Sequence, residues 1–267
     1  MTNPFRENLL AGKAAVVAGA SSGINLQIAT RFAQAGARVA IFSRSEEKIQ
    51  AAAAGIRALG GEATGFAQDV RDYAGVAATL ASAATAYGPF DIVVSGAAGN
   101  FVAPALGMSA NGFKTVVDID LLGTYHVFRA SHEHLRKPGA SLISISAPQA
   151  LLPYALQAHV GAAKAGVEML TKVLAVEWAG EGIRVNSIVP GPIAETEGMA
   201  RLSPNADAEN RNRRAIPLQR FGSKDDIAWL ALFLCSQAAV NITGATLVSD
   251  GGQMLVGAGG MAGRLGA

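Results

Sequence analysis

The stretch Ala14-Ala15-Val16-Val17-Ala18-Gly19-Ala20-Ser21-Ser22-Gly23-Ile24-Asn25 decides the fold. Its first five residues are apolar without alternation, the pattern of a strand buried on both faces. Glycine and small polar residues follow at once, and an amphipathic helical pattern starts near Asn25. A glycine-rich turn between strand and helix lets the backbone approach a diphosphate, and the free N–H groups at the helix start attract its charge. Glycine spacing alone is weak evidence, but its place between the first strand and first helix makes it a dinucleotide-binding turn. Gly19, Ser21, Ser22, Gly23 and Ile24 are therefore expected to hold a cofactor.

Outward from this turn, short apolar runs alternate with longer helical patterns, as in parallel strands joined by crossover helices. Strands are expected at 14–18, 38–42, 62–67, 92–95, 141–146, 184–189 and 246–249, and helices near 25–35, 45–59, 73–87, 112–136, 155–177 and 224–234. The expected fold is α/β, a Rossmann-like doubly wound parallel sheet in a single domain over residues 1–256. The polar connection 194–220 exceeds ordinary loop length and is read as a substrate lid. Residues 257–267 are rich in glycine and read as a tail, mobile unless a neighbouring subunit orders it.

Composition narrows the function classes. The 267 residues are half hydrophobic with a formal net charge of only +2. The basic residues are scattered, so neither nucleic acid nor an anionic membrane surface is expected as a partner. The N-terminus lacks the apolar core of a secretion signal, and no segment approaches about 20 uncharged apolar residues, so no membrane association and a cytoplasmic location are expected. The one cysteine, Cys235, lies in an apolar run and is read as a buried, inert thiol. His126, His132 and His134 have no carboxylate or cysteine partners at metal spacing, and no metal site is assigned.

The second strand ends Ile41-Phe42-Ser43-Arg44-Ser45, with no carboxylate at its tip to accept from an adenosine ribose. Arg44 offers a cation and a planar donor fork suited to a 2′-phosphate, which favours NADP over NAD. A solvated arginine at a strand end would read the same. Asp69, ending the third strand before Val70, is positioned to accept from an adenine amine, and a plain turn residue would also look like this.

Gly19 to Gly23, Asp69-Val70, Ala97-Ala98-Gly99, Lys164, Val185-Asn186 and Pro190-Gly191-Pro192-Ile193 together resemble the short-chain dehydrogenase/reductase superfamily over nearly the whole chain. Within it, Ala97-Ala98-Gly99-Asn100-Phe101, Asp118-Ile119-Asp120, His159-Val160-Gly161-Ala162-Ala163-Lys164 and Leu174-Ala175-Val176-Glu177-Trp178 resemble the peroxisomal-type 2,4-dienoyl-CoA reductases. The resemblance implies that Asp120, where most of the superfamily has asparagine, acts with Lys164 and an ordered water as the acid system, and that Asp250 is a second aspartate near that site. It also implies that Lys164 binds the nicotinamide ribose, that Ala97 and Val70 border the cofactor, and that Pro190, Gly191 and Ile193 hold the carboxamide. Two residues depart from the superfamily pattern: Asn25 stands where a third glycine is usual, and Ser95-Gly96 replaces an asparagine-containing pair. The latter is expected to remove polar anchors beside the cofactor.

The position one helical turn before Lys164 is Val160. A phenol there would share a face with the ammonium and donate a proton, and valine cannot. That loss suits a conjugated thioester, whose dienolate can wait for a water-borne proton on carbon. Gln149 holds the place of the mitochondrial branch's tyrosine, and Tyr154 is the nearby phenol. His159 is expected on another helix face, packed against another subunit. Arg211, Arg213 and Arg214 in the lid are charges that coenzyme A phosphates could meet or that water simply solvates. The reading is an NADPH-dependent reductase with an acyl-CoA substrate, a homotetramer or homodimer by resemblance. Reduction of another enoyl or 3-oxoacyl substrate, or a catalytically silent nucleotide-binding homologue, are the alternatives.

Overall fold

The structure is a computed structural model that describes residues 5–196, 199 and 205–257. The decisive apolar run forms β1 (Ala14–Ala18), every residue of it buried. Its side chains divide with the strand period of two: Ala15 and Val17 pack with Ile28, Phe32 and Ile227, while Ala14, Val16 and Ala18 pack with Leu80, Val127 and Phe128. A strand buried on both faces needs helices on both faces, which is the condition for a parallel sheet. β2 (Arg38–Ser43), β3 (Glu62–Ala67), β4 (Ile92–Ser95), β5 (Ser141–Ile145), β6 (Arg184–Pro190) and β7 (Thr246–Ser249) complete it. All pairings are parallel, in the order β3-β2-β1-β4-β5-β6-β7. The winding direction reverses between β1 and β4, and the crevice at the carboxyl ends of those strands is where such sheets bind ligands.

The helices are α1 (Gly23–Gln34), α2 (Glu46–Ala58), α3 (Tyr73–Tyr87), α4 (Ala110–Val117), α5 (Gly123–Ser131), α6 (Ala158–Trp178), α7 (Ala206–Arg214) and α8 (Lys224–Cys235). Local caps start several of them. Asp72 accepts from the Gly75 N–H at 3.1 Å, and Ser223 with Asp226 forms a reciprocal capping box on α8. α1 and α8 cover one face of the sheet with α2, and α3, α5 and α6 cover the other.

The helix expected over 112–136 is present as continuous helical backbone from Ala110 to His134, but not as one regular α-helix. A π turn, Asp118–Leu122, separates α4 from α5, and a 3-10 turn, His132–His134, ends the segment. Gly123 N–H reaches back five residues to Asp118 O, and Thr124 Oγ1 donates to Asp120 O at 2.7 Å. Glycine is needed where the turn ends: a Cβ on Gly123 would lie 2.6 Å from Val70 Cγ2, so the absent side chain lets the helix approach the β3–α3 connection. Ile119 and Asp120 are consequently both buried. Such turns concentrate at functional sites.

The expected lid carries a helix of its own, α7, capped by Asn205 Oδ1 accepting from Ala208 N–H at 2.9 Å. Residues 197, 198 and 200–204 of the lid, and 258–267 of the expected tail, lie outside the described residues. Among the described residues no helix is long and apolar enough to cross a membrane.

Candidate active site

Two adjoining cavities open at the carboxyl ends of β1 and β4. The larger, about 820 Å³, takes in Gly19, Ser21, Ser22, Arg44, Asp69, Val70 and Ala97 from the sequence expectation. Gly19 has φ +76°, and a Cβ there would lie 2.7 Å from Ala97 N and Cα, so glycine is required for the β1 and β4 turns to meet. α1 begins after Ser22, which is extended at φ −166° and makes no side-chain cap bond. The first N–H groups of α1 are thus left for an anionic ligand. At the far end, Arg44 and Lys48 line the cavity, and Ser43 Oγ is buried with no partner in the protein. Asp69 is already engaged: its Oδ1 accepts from the Arg71 backbone N–H at 2.9 Å, and its Oδ2 from Arg71 Nη2 at 2.6 Å. The Arg71 guanidinium holds the Asp69 carboxyl below the usual carboxylate range. An adenine amine would share an acceptor that Arg71 also uses.

The smaller cavity, about 360 Å³, brings together Gly23, Ile24, Asp120, Lys164, Pro190 and Gly191. Asp120 comes from the π turn and Lys164 from α6. Asp120 Oδ1 accepts from Gly99 N–H at 2.7 Å, and Lys164 Nζ donates to Ile145 O at 2.9 Å. Nζ lies 3.2 Å from Asp120 Oδ2, an ion-pair contact without hydrogen-bond alignment, and Oδ2 makes no hydrogen bond within the protein. Asp120 is 1 % exposed and Lys164 4 %. Val160 lines the same cavity, so the place one turn before the lysine presents a methyl-bearing wall and no proton.

Buried polar atoms lacking a protein partner gather here. Asn25 Oδ1, Asp120 Oδ2, Ser146 Oγ and Gln149 Oε1 are all in this state, and all four residues line the smaller cavity. Buried polar atoms are ordinarily paired, so this clustering marks a surface shaped for a polar ligand. Asn25, Ser146, Gln149 and Thr196 carried no role in the sequence expectation. Only their convergence in space identifies them, although the place of Gln149, fifteen residues before Lys164, was visible in the sequence.

Other expected residues stand apart. Asp250 lines neither cavity: its Oδ1 accepts from Gly252 N–H at 2.8 Å and its Oδ2 from Met254 N–H at 2.7 Å, so it caps the turn beyond β7. It still touches the site from behind, since a Cβ on Gly191 would meet Asp250 Cα at 2.5 Å. Ile193 is buried behind the 190–192 turn, lines neither cavity and pairs with Gly222. His159 is corrected: it is fully buried inside this chain, its ring 4.3 Å from that of Phe101, and neither ring nitrogen finds a partner in the protein. Polar anchoring of the β4 turn is not lost either, because Asn25 Nδ2 donates to Gly96 O at 2.7 Å. Tyr154 is half-exposed, and burial together with the Asp250 charge pushes its phenol above the ordinary value. Desolvation pushes the Cys235 thiol up to about 12, in keeping with an inert thiol even though the residue keeps partial exposure. No group of metal-binding side chains occurs among the described residues.

A doubly wound sheet, a glycine turn against a helix start, and a buried lysine on the helix after β5 define a nicotinamide-dependent oxidoreductase of the Rossmann type. The chain belongs to the short-chain dehydrogenase/reductase superfamily: residues 19–254 match the family described as Enoyl-(Acyl carrier protein) reductase. It is 39% identical over 265 residues to an Arabidopsis thaliana protein named peroxisomal 2,4-dienoyl-CoA reductase [(3E)-enoyl-CoA-producing], covering 96% of this chain and 89% of that one. It is 42% identical to the Pongo abelii protein of the same name, with 94% and 87% covered. Among solved structures, a putative short-chain alcohol dehydrogenase from Sinorhizobium meliloti superposes with a TM-score of 0.86 at 34% identity, covering 92% of this chain and 98% of that one.

Proposed function

We propose that the protein is an NADPH-dependent reductase converting 2,4-dienoyl-CoA thioesters to 3-enoyl-CoA products in the degradation of unsaturated fatty acids. The observation that carries this is the buried Asp120–Lys164 pair in a cavity where Val160 replaces a proton-donating phenol. The residues suit the cofactor: the uncapped start of α1 meets the diphosphate, Lys164 the nicotinamide ribose, and Pro190 and Gly191 the carboxamide. Arg44, Lys48 and the unpaired Ser43 Oγ suit a 2′-phosphate, and the tip of β2 has no carboxylate to oppose it. When bound, the reduced nicotinamide supplies a hydride to the far end of the conjugated acyl chain.

The protein's part is electrostatic and protonic. Lys164, fixed by Ile145 O, directs positive charge toward the thioester oxygen on which negative charge develops. Asp120, fixed by Gly99 N–H, leaves Oδ2 free to orient a water whose proton goes to the α-carbon of the dienolate, the hydroxide left behind taking a proton from solvent, so that one hydride and one proton complete the reduction. Val160 keeps that side apolar. The electron-rich intermediate is delocalised over the thioester, so protonation on carbon can follow hydride addition without a phenol at hand.

An apolar strip on α6, Met169, Val173 and Val176, together with Leu122 and Tyr125, is exposed and supports a homo-oligomer. Mixing the protein with NADPH and 2,4-hexadienoyl-CoA, and following cofactor absorbance, tests the function. Consumption of NADPH with formation of a 3-enoyl thioester is expected. Brisk turnover of simple ketones with none of the dienoyl thioester overturns it, and tight NADPH binding without any turnover points to a silent homologue.

A further inference from the structure

Two departures from the superfamily pattern, Asn25 and Gly96, meet in space. Asn25 is 8 % exposed, and its Nδ2 donates to Gly96 O at 2.7 Å and to Gly19 O at 3.3 Å. One carboxamide therefore ties the β1–α1 turn to the turn after β4, the two segments that floor both cavities. Two carbonyls on one side fix the orientation of the amide, because only its nitrogen can face them. A Cβ on Gly96 would fall 2.2 Å from Asn25 Oδ1 and 2.6 Å from its Cγ. A side chain at 96 and asparagine at 25 thus compete for one volume, and the polar anchor has crossed from the β4 turn to α1.

The remaining atom of that amide is the informative one. Asn25 Oδ1 is buried without a partner in the protein, and Asn25 lines both the larger and the smaller cavity. An unpaired buried carbonyl is costly until a donor reaches it. A dinucleotide diphosphate offers no donor, whereas the ribose hydroxyls on either side of it do.

We propose that Asn25 is a positioning residue for the dinucleotide: Nδ2 locks the two turns together, and Oδ1 accepts a hydrogen bond from a ribose hydroxyl of the bound cofactor. This rests on the dinucleotide reading above and adds a residue to it that the glycine pattern does not contain.

The test is a swap. N25G, G96N and the double variant N25G/G96N are each melted as cofactor-free protein and titrated with NADPH by fluorescence. N25G is expected to lower the melting temperature and weaken NADPH about tenfold, as for one lost hydrogen bond with its lock. G96N, which forces two side chains into one space, should be worse in stability than N25G. The double variant should regain most of the wild-type melting temperature, because one side chain again fills the volume, while NADPH stays several-fold weak for want of Oδ1. If N25G does not fold, N25S, too short to span both carbonyls, is read in the same way. Wild-type stability and affinity in N25G overturn the proposal, as do stability losses that simply add in the double variant, or full recovery of affinity there. A wild-type protein that binds no NADPH overturns the cofactor reading instead.

Discussion

Replacing Asp120 by asparagine removes a charge with little change of shape. The amide oxygen can still accept from Gly99 N–H, a 2.7 Å bond in the native site, so the π turn is kept. What disappears is the negative charge 3.2 Å from Lys164 Nζ. At an effective dielectric of about 20 that separation corresponds to about 5 kcal/mol of gross attraction, much of it offset by the desolvation of both ions. The ammonium is left with Ile145 O as its protein acceptor and no counter-ion, which costs about 3 kcal/mol or more of stability. The catalytic loss is separate. An amide nitrogen at the Oδ2 position donates where the carboxylate accepts, so the water it holds is turned the wrong way, and turnover should drop by about 10²-fold or more. The assay is NADPH consumption with saturating 2,4-hexadienoyl-CoA, paired with a thermal melt and an NADPH titration. Turnover should fall far more than NADPH affinity. An Asp120→Asn variant that keeps half of the native turnover refutes the assigned role.

Three other perturbations probe different parts of the site and scaffold. Arg44→Ala should weaken NADPH by about tenfold while leaving NADH binding unchanged, since only the former carries the phosphate that the guanidinium suits; equal losses for both cofactors would sink that assignment. Tyr154→Phe should leave dienoyl turnover unchanged, because burial and the Asp250 charge push that phenol up and make it a poor acid at neutrality; a large loss would make it the missing donor. Asp225 lies below the usual carboxylate range because Arg31 donates to it, at 2.7 Å from both Nε and Nη2. A depressed folded value means the contribution is complete above the unfolded carboxyl range, near pH 4, and fades as pH falls through the lower folded value. The stability gap between the native protein and Asp225→Asn should therefore narrow in acid; a gap independent of pH excludes the linkage.

Most of the sheet was legible because a strand buried on both faces writes an unbroken apolar run, as Ala14 to Ala18 and Ile92 to Val94 do. Gly19 and Lys164 were legible for a related reason, since each satisfies a constraint local to one turn or one helix. The π turn was not. Asp118 to Leu122 continues the apolar spacing of its neighbours, and the close seat of Gly123 on Val70, from a distant part of the chain, leaves no periodicity to read. Asn25 illustrates the same limit. Taken singly it reads as a missing glycine and Gly96 as a missing asparagine, and only their contact shows one change compensating the other. His159 was misplaced because helical spacing gives the face of a residue relative to its own helix, and the 99–108 loop that brings Phe101 over the ring has no periodicity to read.

The π turn also separates reactivity from architecture. The turn holds one residue more than α geometry needs, so deleting one residue between Asp118 and Leu122 would let the backbone close into an ordinary helix, with α4 and α5 kept in their seats on the sheet. Asp120 would swing away from Lys164, and the sheet beneath would scarcely register the loss. A change of length at this one locus is therefore expected to move Asp120 relative to Lys164 while the scaffold stays as it is.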